Sequence, residues 1–155
     1  MTQLSNHYLY PSALLVSTEP CIISTLLGSC VSVCLWDSRL QIGGMNHYLL
    51  PLWNGEGLPS PKYGNIAIHK LLDSLLEKGS AIQNIQAQVF GGADVLNMQK
   101  NHFNIGARNI KQAHEMLTEI GIPVTAESTG GSRGRKILFY PHKGEIRLKY
   151  LEKNS

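Results

Sequence analysis

The chain has 155 residues, enough for one domain whose folding buries about two-thirds of the surface its unfolded form exposes. With 43% hydrophobic residues, 16% charged residues and 15 glycines it has an ordinary globular composition rich in turns, which excludes a disordered chain. The net charge of +3 is mild and the basic residues are scattered apart from Arg133, Arg135 and Lys136, so no nucleic-acid-binding stripe is present.

Residues 1–11 are polar and aromatic and read as a loosely held lead-in ending at Pro11. Ala13-Leu14-Leu15-Val16 and Cys21-Ile22-Ile23-Ser24-Thr25-Leu26 are short apolar runs separated by Thr18-Glu19-Pro20, which predicts two strands around a turn. Gly28-Ser29 then forms a small-residue turn that delivers Cys30 to the head of Val31–Trp36, a β-branched and aromatic strand closed by Asp37-Ser38. Ile42–Leu50 predicts a further extended run closed by Pro51, with Gly43-Gly44 marking a bulge or a close backbone contact. A surface loop over Trp53–Pro61 leads to a helix from Asn65 to Lys78, where Ile68, Leu71, Leu72, Leu75 and Leu76 recur at three- and four-residue steps before Gly79.

Ile85–Phe90 reads as a strand ending at Gly91-Gly92-Ala93-Asp94, and Val95–Phe103 is too mixed to assign. A second helix from about Gly106 to Ile120 places Ile110, Ala113, Leu117 and Ile120 on one stripe, and Gly121 and Pro123 end it. Val124–Glu127 is a strand, and Thr129–Gly134 is a glycine-rich turn. Lys136–Tyr140 and Glu145–Leu151 flank Pro141-His142-Lys143-Gly144 as a hairpin. Strands grouped at both ends with two main helices between them give a single-domain α+β fold with mixed or antiparallel sheets.

Three cysteines without framework spacing suit free thiols in a reducing compartment. The N-terminus lacks the basic and apolar regions of an export signal, and no apolar stretch is long enough to span a bilayer, so a cytoplasmic protein without membrane insertion is expected.

Cys21 and Cys34 fit core packing, whereas Cys30 follows Gly28-Ser29 at an element boundary, where backbone N–H groups can converge into an oxyanion hole. His47 lies in a run that could pair beside the Cys30 strand. Imidazolium beside a thiol stabilises the thiolate and can later protonate a leaving amine, although a lone histidine in an apolar strand is more commonly a hydrogen-bonded core residue. His7, His69, His102, His114 and His142 have weaker surroundings. A zinc site from Cys21, Cys30, Cys34 and His47 is disfavoured because no C-x-x-C pair is present and Cys30 and Cys34 in one strand are too far apart to share an ion. Gly130-Gly131-Ser132-Arg133-Gly134-Arg135-Lys136 lacks the ending of a phosphate loop and a following helix, so it reads as a turn.

Leu-Gly-Ser-Cys-Val at 27–31, Gly-Gly-Met-Asn-His at 43–47, Phe-Gly-Gly-Ala-Asp at 90–94, Ile-Gly-Ala-Arg-Asn at 105–109 and Gly-Gly-Ser-Arg-Gly-Arg-Lys at 130–136 together resemble the CheD family of chemoreceptor glutamine deamidases. The resemblance spans nearly the whole chain. It implies a fold shared with bacterial toxin deamidases and hydrolysis of selected glutamines to glutamates on methyl-accepting chemotaxis receptors, with no metal or organic cofactor. It further implies Cys30 as nucleophile and His47 as its base, with backbone amides near Gly28 and Ser29 holding the oxyanion. The family's third member is a threonine that orients the imidazole; an ungapped count back from Cys30 reaches Ser24, residue type favours Thr25, and both remain open. A CheC-type phosphatase is a further implied partner, and a chiefly regulatory role or another thiol-hydrolase activity are the alternatives.

Overall fold

The structure is a computed structural model that describes residues 3–95 and 104–152. Two sheets are present among these residues. The first has the order β1-β3-β8-β9, formed by Ser5–Tyr8, Cys21–Leu27, Arg135–Tyr140 and Glu145–Tyr150. The second has the order β2-β5-β4-β6-β7, formed by Leu14–Ser17, Ile42–Asn46, Val31–Asp37, Ile85–Gly91 and Val124–Thr129. Helices α1 (Gly64–Glu77) and α2 (Ile105–Ile120) pack on the outer face of the second sheet, giving an α+β fold of three layers.

Strand β4 shows how the layers form. Side chains alternate across a strand, so Val31, Val33 and Leu35 meet Leu71, Leu75 and Leu117 of the helices, while Cys34 meets Ile23, Met45 and Phe139 between the sheets. Both faces are covered. That is why the sequence of β4 reads as a nearly continuous apolar run and not as an alternation. Helix α1 buries Ile68, Leu71, Leu72 and Leu75, the stripe its spacing predicts. In α2 the Asn104 side chain accepts the Ala107 N–H at 3.0 Å as N-cap, and Gly121 ends the helix in the left-handed region.

Several expectations change. The lead-in contains β1, an exposed edge strand pairing in parallel with β3 from Ser5↔Cys21 to Tyr8↔Ser24. The runs before and after Thr18-Glu19-Pro20 are strands, but β2 pairs with β5 and β3 pairs with β8, so the turn crosses between sheets instead of closing a hairpin. Strand β5 stops at Asn46, leaving His47 just past its end. At Gly43-Gly44 the register with β4 is unbroken, and the glycines allow close contact: a Cβ on Gly43 would lie 2.7 Å from the Leu35 carbonyl oxygen. The unassigned stretch after Val95, with His102, lies outside the described residues.

Candidate active site

The turn Gly28-Ser29-Cys30 carries the chain from β3 in one sheet to β4 in the other, at the rim of the inter-sheet layer. All three carbonyls of the turn are held from behind. The Ala93 N–H donates to Gly28 O and the Gly92 N–H donates to Cys30 O, each at 2.9 Å, while Asn109 Nδ2 donates to Ser29 O at 3.0 Å. A trans peptide points its C=O and N–H in opposite directions. The Ser29 and Cys30 N–H groups therefore point away from these donors, and neither donates to another residue among the described residues. The Cys30 N–H lies toward its own Sγ, where it favours the thiolate. Two backbone N–H groups with no acceptor on another described residue, beside a half-buried thiol, are the donors that a developing oxyanion requires.

His47 reaches this place through strand register. Cys34↔Met45 pairing runs without slippage to the bridge Val31↔Tyr48, closed by Val31 N–H to Tyr48 O at 3.1 Å and Tyr48 N–H to Val31 O at 3.0 Å. In that register Ser32 stands opposite His47 and Cys30 opposite Leu49. By the alternation of side chains along each segment, Cys30 and His47 fall on the face away from Val31 and Tyr48, the face on which Cys34 and Cys30 meet the inter-sheet layer. The His47 backbone is fixed too, its N–H donating to Ala13 O at 3.2 Å and its carbonyl accepting from Ser12 N–H at 2.8 Å.

The two hydroxyls left open by the sequence part company. Thr25 lies between Ile23 and Leu27 on the buried face of β3, and its Oγ1 is 2.7 Å from His47 Nδ1. The same Oγ1 donates to the Leu9 carbonyl at 2.7 Å. A hydroxyl has one proton, so toward the imidazole Thr25 acts as acceptor, which puts the ring proton on Nδ1 and leaves Nε2 with a lone pair. Ser24 points to the other face and donates to Asn6 Oδ1 at 3.1 Å.

Burial dominates the electrostatics. It pushes the Cys30 thiol above its ordinary range, a rise partly offset by the Cys30 N–H, and it pushes His47 down to about 4. A resting thiolate–imidazolium pair, the arrangement that would lower the thiol pKa, is disfavoured because both charged forms are desolvated. Both shifts favour the uncharged thiol and the uncharged imidazole.

Cys21 and Cys34 are buried free thiols of the inter-sheet core, and burial raises Cys34 far out of the titrating range. Among the described residues no three His, Cys, Asp or Glu side chains are grouped to hold a metal ion. His7 and His69 are exposed, and His114 lies 2.8 Å from Glu127. The glycine-rich 130–134 turn leads into β8 and packs on the 91–94 segment that holds the Cys30 turn, Gly130 N–H donating to Gly91 O and Asp94 N–H to Gly131 O.

Two site residues escape a reading of periodicity. Asn109 is fully buried on α2, where the apolar stripe pointed to Ile110, and Ser32 is a buried hydroxyl on the Cys30 face with no hydrogen-bond partner among the described residues. The only sequence signal for Asn109 was its place in the 105–109 motif.

A family model described as CheD chemotactic sensory transduction matches residues 49–150. A protein of Sulfurimonas denitrificans named "Probable chemoreceptor glutamine deamidase CheD" is 49% identical over 149 residues, covering 96% of each chain. A protein of the same name from Trichlorobacter lovleyi is 48% identical over 145 residues, covering 94% of this chain and 90% of its own. Among solved structures, that of the Bacillus licheniformis hypothetical protein YfiH superposes with a TM-score of 0.50 at 17% identity, over 77% of this chain and 51% of that one, a likeness of fold alone. No helix among the described residues is long and apolar enough to cross a membrane.

Proposed function

The chain belongs to the CheD family, and on that premise we propose that it hydrolyses glutamine side-chain amides of chemoreceptors to glutamate, with Cys30 as nucleophile, His47 as base and Thr25 as the group that orients the ring. The observation that carries the reading is the chain Leu9 O, Thr25 Oγ1, His47 Nδ1, which leaves Nε2 as a proton acceptor on the face it shares with Cys30.

The steps balance as follows. His47 Nε2 takes the Sγ proton as the sulfur attacks the glutamine Cδ, and the carbonyl oxygen becomes an oxyanion facing the Ser29 and Cys30 N–H groups. The tetrahedral centre collapses with cleavage of C–N, the imidazolium protonates the departing nitrogen, and ammonia leaves a γ-glutamyl thioester. Water then attacks the thioester as Nε2 takes its proton, and as C–S breaks the imidazolium returns that proton to Sγ, restoring the thiol and releasing the γ-carboxylic acid, which ionises to glutamate. The sum is glutamine plus water to glutamate plus ammonium, the released ammonia taking the proton of the new carboxyl group, with no oxidant or cofactor consumed. Burial suits this route, because a neutral imidazole is ready to receive the proton when the substrate closes the site.

The site draws Thr25 from one sheet, His47 from the end of a strand in the other, and Cys30 from the turn joining them, which supports residues 1–155 acting as one deamidase unit. Action in the cytoplasm fits the three free cysteines, and a CheC-type phosphatase as a second partner follows from the resemblance alone. The test is incubation with receptor cytoplasmic fragments, with ammonia release measured and Gln-to-Glu changes mapped by mass spectrometry. Ammonia release without chain cleavage is expected from wild type and not from Cys30→Ala; release undiminished by Cys30→Ala, or peptide cleavage instead, contradicts the proposal.

A further inference from the structure

Asn109 stands where the strand pairing behind the nucleophile opens. Val31 and Tyr48 form a hydrogen-bonded pair, so a continuing antiparallel ladder would next join Ser29 and Leu50. It does not, because the Leu49 and Leu50 N–H groups both turn to the Lys62 carbonyl, at 2.9 and 3.1 Å. The Ser29 carbonyl is left to Asn109 Nδ2 at 3.0 Å. The second hydrogen of the same amide goes to Leu49 O at 2.9 Å. Both partners are carbonyl oxygens, which fixes the nitrogen end of the carboxamide. A third tie comes from Tyr48, whose hydroxyl donates to the Asn109 backbone carbonyl at 2.6 Å. One fully buried side chain from a helix thereby bridges the segment before Cys30 and the segment after His47.

We infer that Asn109 is a positioning residue for the oxyanion hole: by holding the Ser29 carbonyl it sets the plane of the Ser29–Cys30 peptide and aims the Cys30 N–H at the reacting carbonyl. The Ser29 carbonyl and the Cys30 N–H belong to one rigid peptide unit, so a donor on one end orients the other. The bond also draws electron density from the peptide and strengthens the Cys30 N–H as a donor. Asn109 touches no reacting atom and acts through that peptide. The inference deepens the acyl-transfer reading of the site, but it can be tested without a receptor.

Two reactions of Cys30 separate the roles. Alkylation by iodoacetamide needs the sulfur nucleophile and forms no oxyanion, whereas acylation by p-nitrophenyl acetate, read as the p-nitrophenol burst, passes through a tetrahedral oxyanion. In Asn109→Ala the acylation rate should fall roughly 10–100-fold, as a misplaced donor predicts, with alkylation unchanged within error. The inference is overturned if acylation holds, or if both reactions fall in the same proportion, which would mark a general collapse of the site. Should Asn109→Ala fail to fold, Asn109→Asp serves: its protonated carboxyl keeps one donor, so the acylation-to-alkylation ratio should drop as pH rises and the carboxyl ionises. A ratio independent of pH overturns the inference there. Loss of ammonia release from receptor fragments by the wild type would count against the substrate assignment and leave this comparison standing.

Discussion

Thr25 Oγ1 lies 2.7 Å from His47 Nδ1 while donating its own proton to the Leu9 carbonyl, so a backbone oxygen of the segment before β2 determines which nitrogen of the imidazole carries hydrogen. The relay is wholly buried: neither Thr25 nor His47 exposes more than 2% of its surface. Loss of any link therefore leaves a polar group without water to replace it.

Thr25→Val keeps the shape of the side chain and removes the acceptor. The ring can then turn or change tautomer, and kcat should fall roughly 10–100-fold with little change in KM, the range expected for one hydrogen bond to a ring that becomes charged. Thr25→Ser should retain most of the activity. Ser24→Ala removes only the bond to Asn6 at the β1 edge and should cost about 1 kcal/mol of stability with kcat intact. Steady-state ammonia release decides, and a kcat loss in Ser24→Ala matching that of Thr25→Val contradicts the assignment.

The alkylation profile of Cys30 follows from its burial. The thiol is raised above its ordinary range and His47 is neutral near pH 7, so iodoacetamide should react with a midpoint above the usual free-thiol value of about 8.5. His47→Ala should move that midpoint little, because a neutral imidazole lends no charge to the thiolate. Cys34→Ala should leave it unchanged, since Cys34 is buried and its thiol is raised further still. A wild-type midpoint of about 5–7 would instead reveal a preformed ion pair.

Burial of His47 also ties stability to pH. The folded value is about 4 against 6.5 for the free side chain, so between these values the unfolded chain binds the proton and the native chain does not. Stability is therefore fully present above pH 6.5, falls as pH drops toward 4, and levels off below. The integrated loss is roughly 3 kcal/mol. Urea unfolding of wild type and His47→Gln at several pH values measures it: the decline in this window should shrink in the variant, and an equal decline in both assigns the pH dependence to other groups.

How far the sequence discloses these features depends on what each residue's neighbours are. Val31–Trp36 and the α1 leucines bury a contiguous surface, so their pattern carries the signal and the elements lie where the pattern puts them, with helix ends shifted by a residue. Strand β1 exposes all four side chains and is held by backbone bonds to β3, which composition does not record. The Thr18-Glu19-Pro20 turn marks a change of direction but does not say which sheet the next strand will join. Thr25 and Ser24 stayed ambiguous because Ile22, Ile23, Leu26 and Leu27 make both faces of β3 apolar; β1 and β8 pack beside it, and only the fold tells the inward face from the outer one. Asn109 is hidden for the opposite reason, since a polar residue on a helix ordinarily marks the solvated side.

Gly106 sets how closely α2 approaches Gly92 and Ala93, which hold the Cys30 turn, and its substitution tests whether that distance matters for chemistry. A Cβ there would lie 2.7 Å from the Ala93 carbonyl oxygen and would also strike the Gly92 carbonyl, both backbone atoms that cannot swing aside. Alanine in a helix is favoured over glycine by about 1 kcal/mol, while forcing atoms into a packed contact costs about 1–3 kcal/mol. The clash should prevail. Gly106→Ala should lower the melting temperature by several degrees, at about 2–4 °C per kcal/mol for a chain of this size. The helix can relieve the clash only by backing away, and it carries Asn109 one turn further along, while Gly92 and Ala93 are the residues whose N–H groups hold the Cys30 turn. Activity at a temperature where the variant is fully folded should then fall by at least about tenfold, as misplacement near a reacting centre predicts. Gly121→Ala supplies the comparison: its left-handed backbone makes alanine costly by about 1 kcal/mol, yet nothing lies within 4 Å of the added carbon. Equal destabilisation of the two variants with kcat lost only in Gly106→Ala is the expected result, and kcat preserved in a folded Gly106→Ala would show that the turn keeps its geometry without α2.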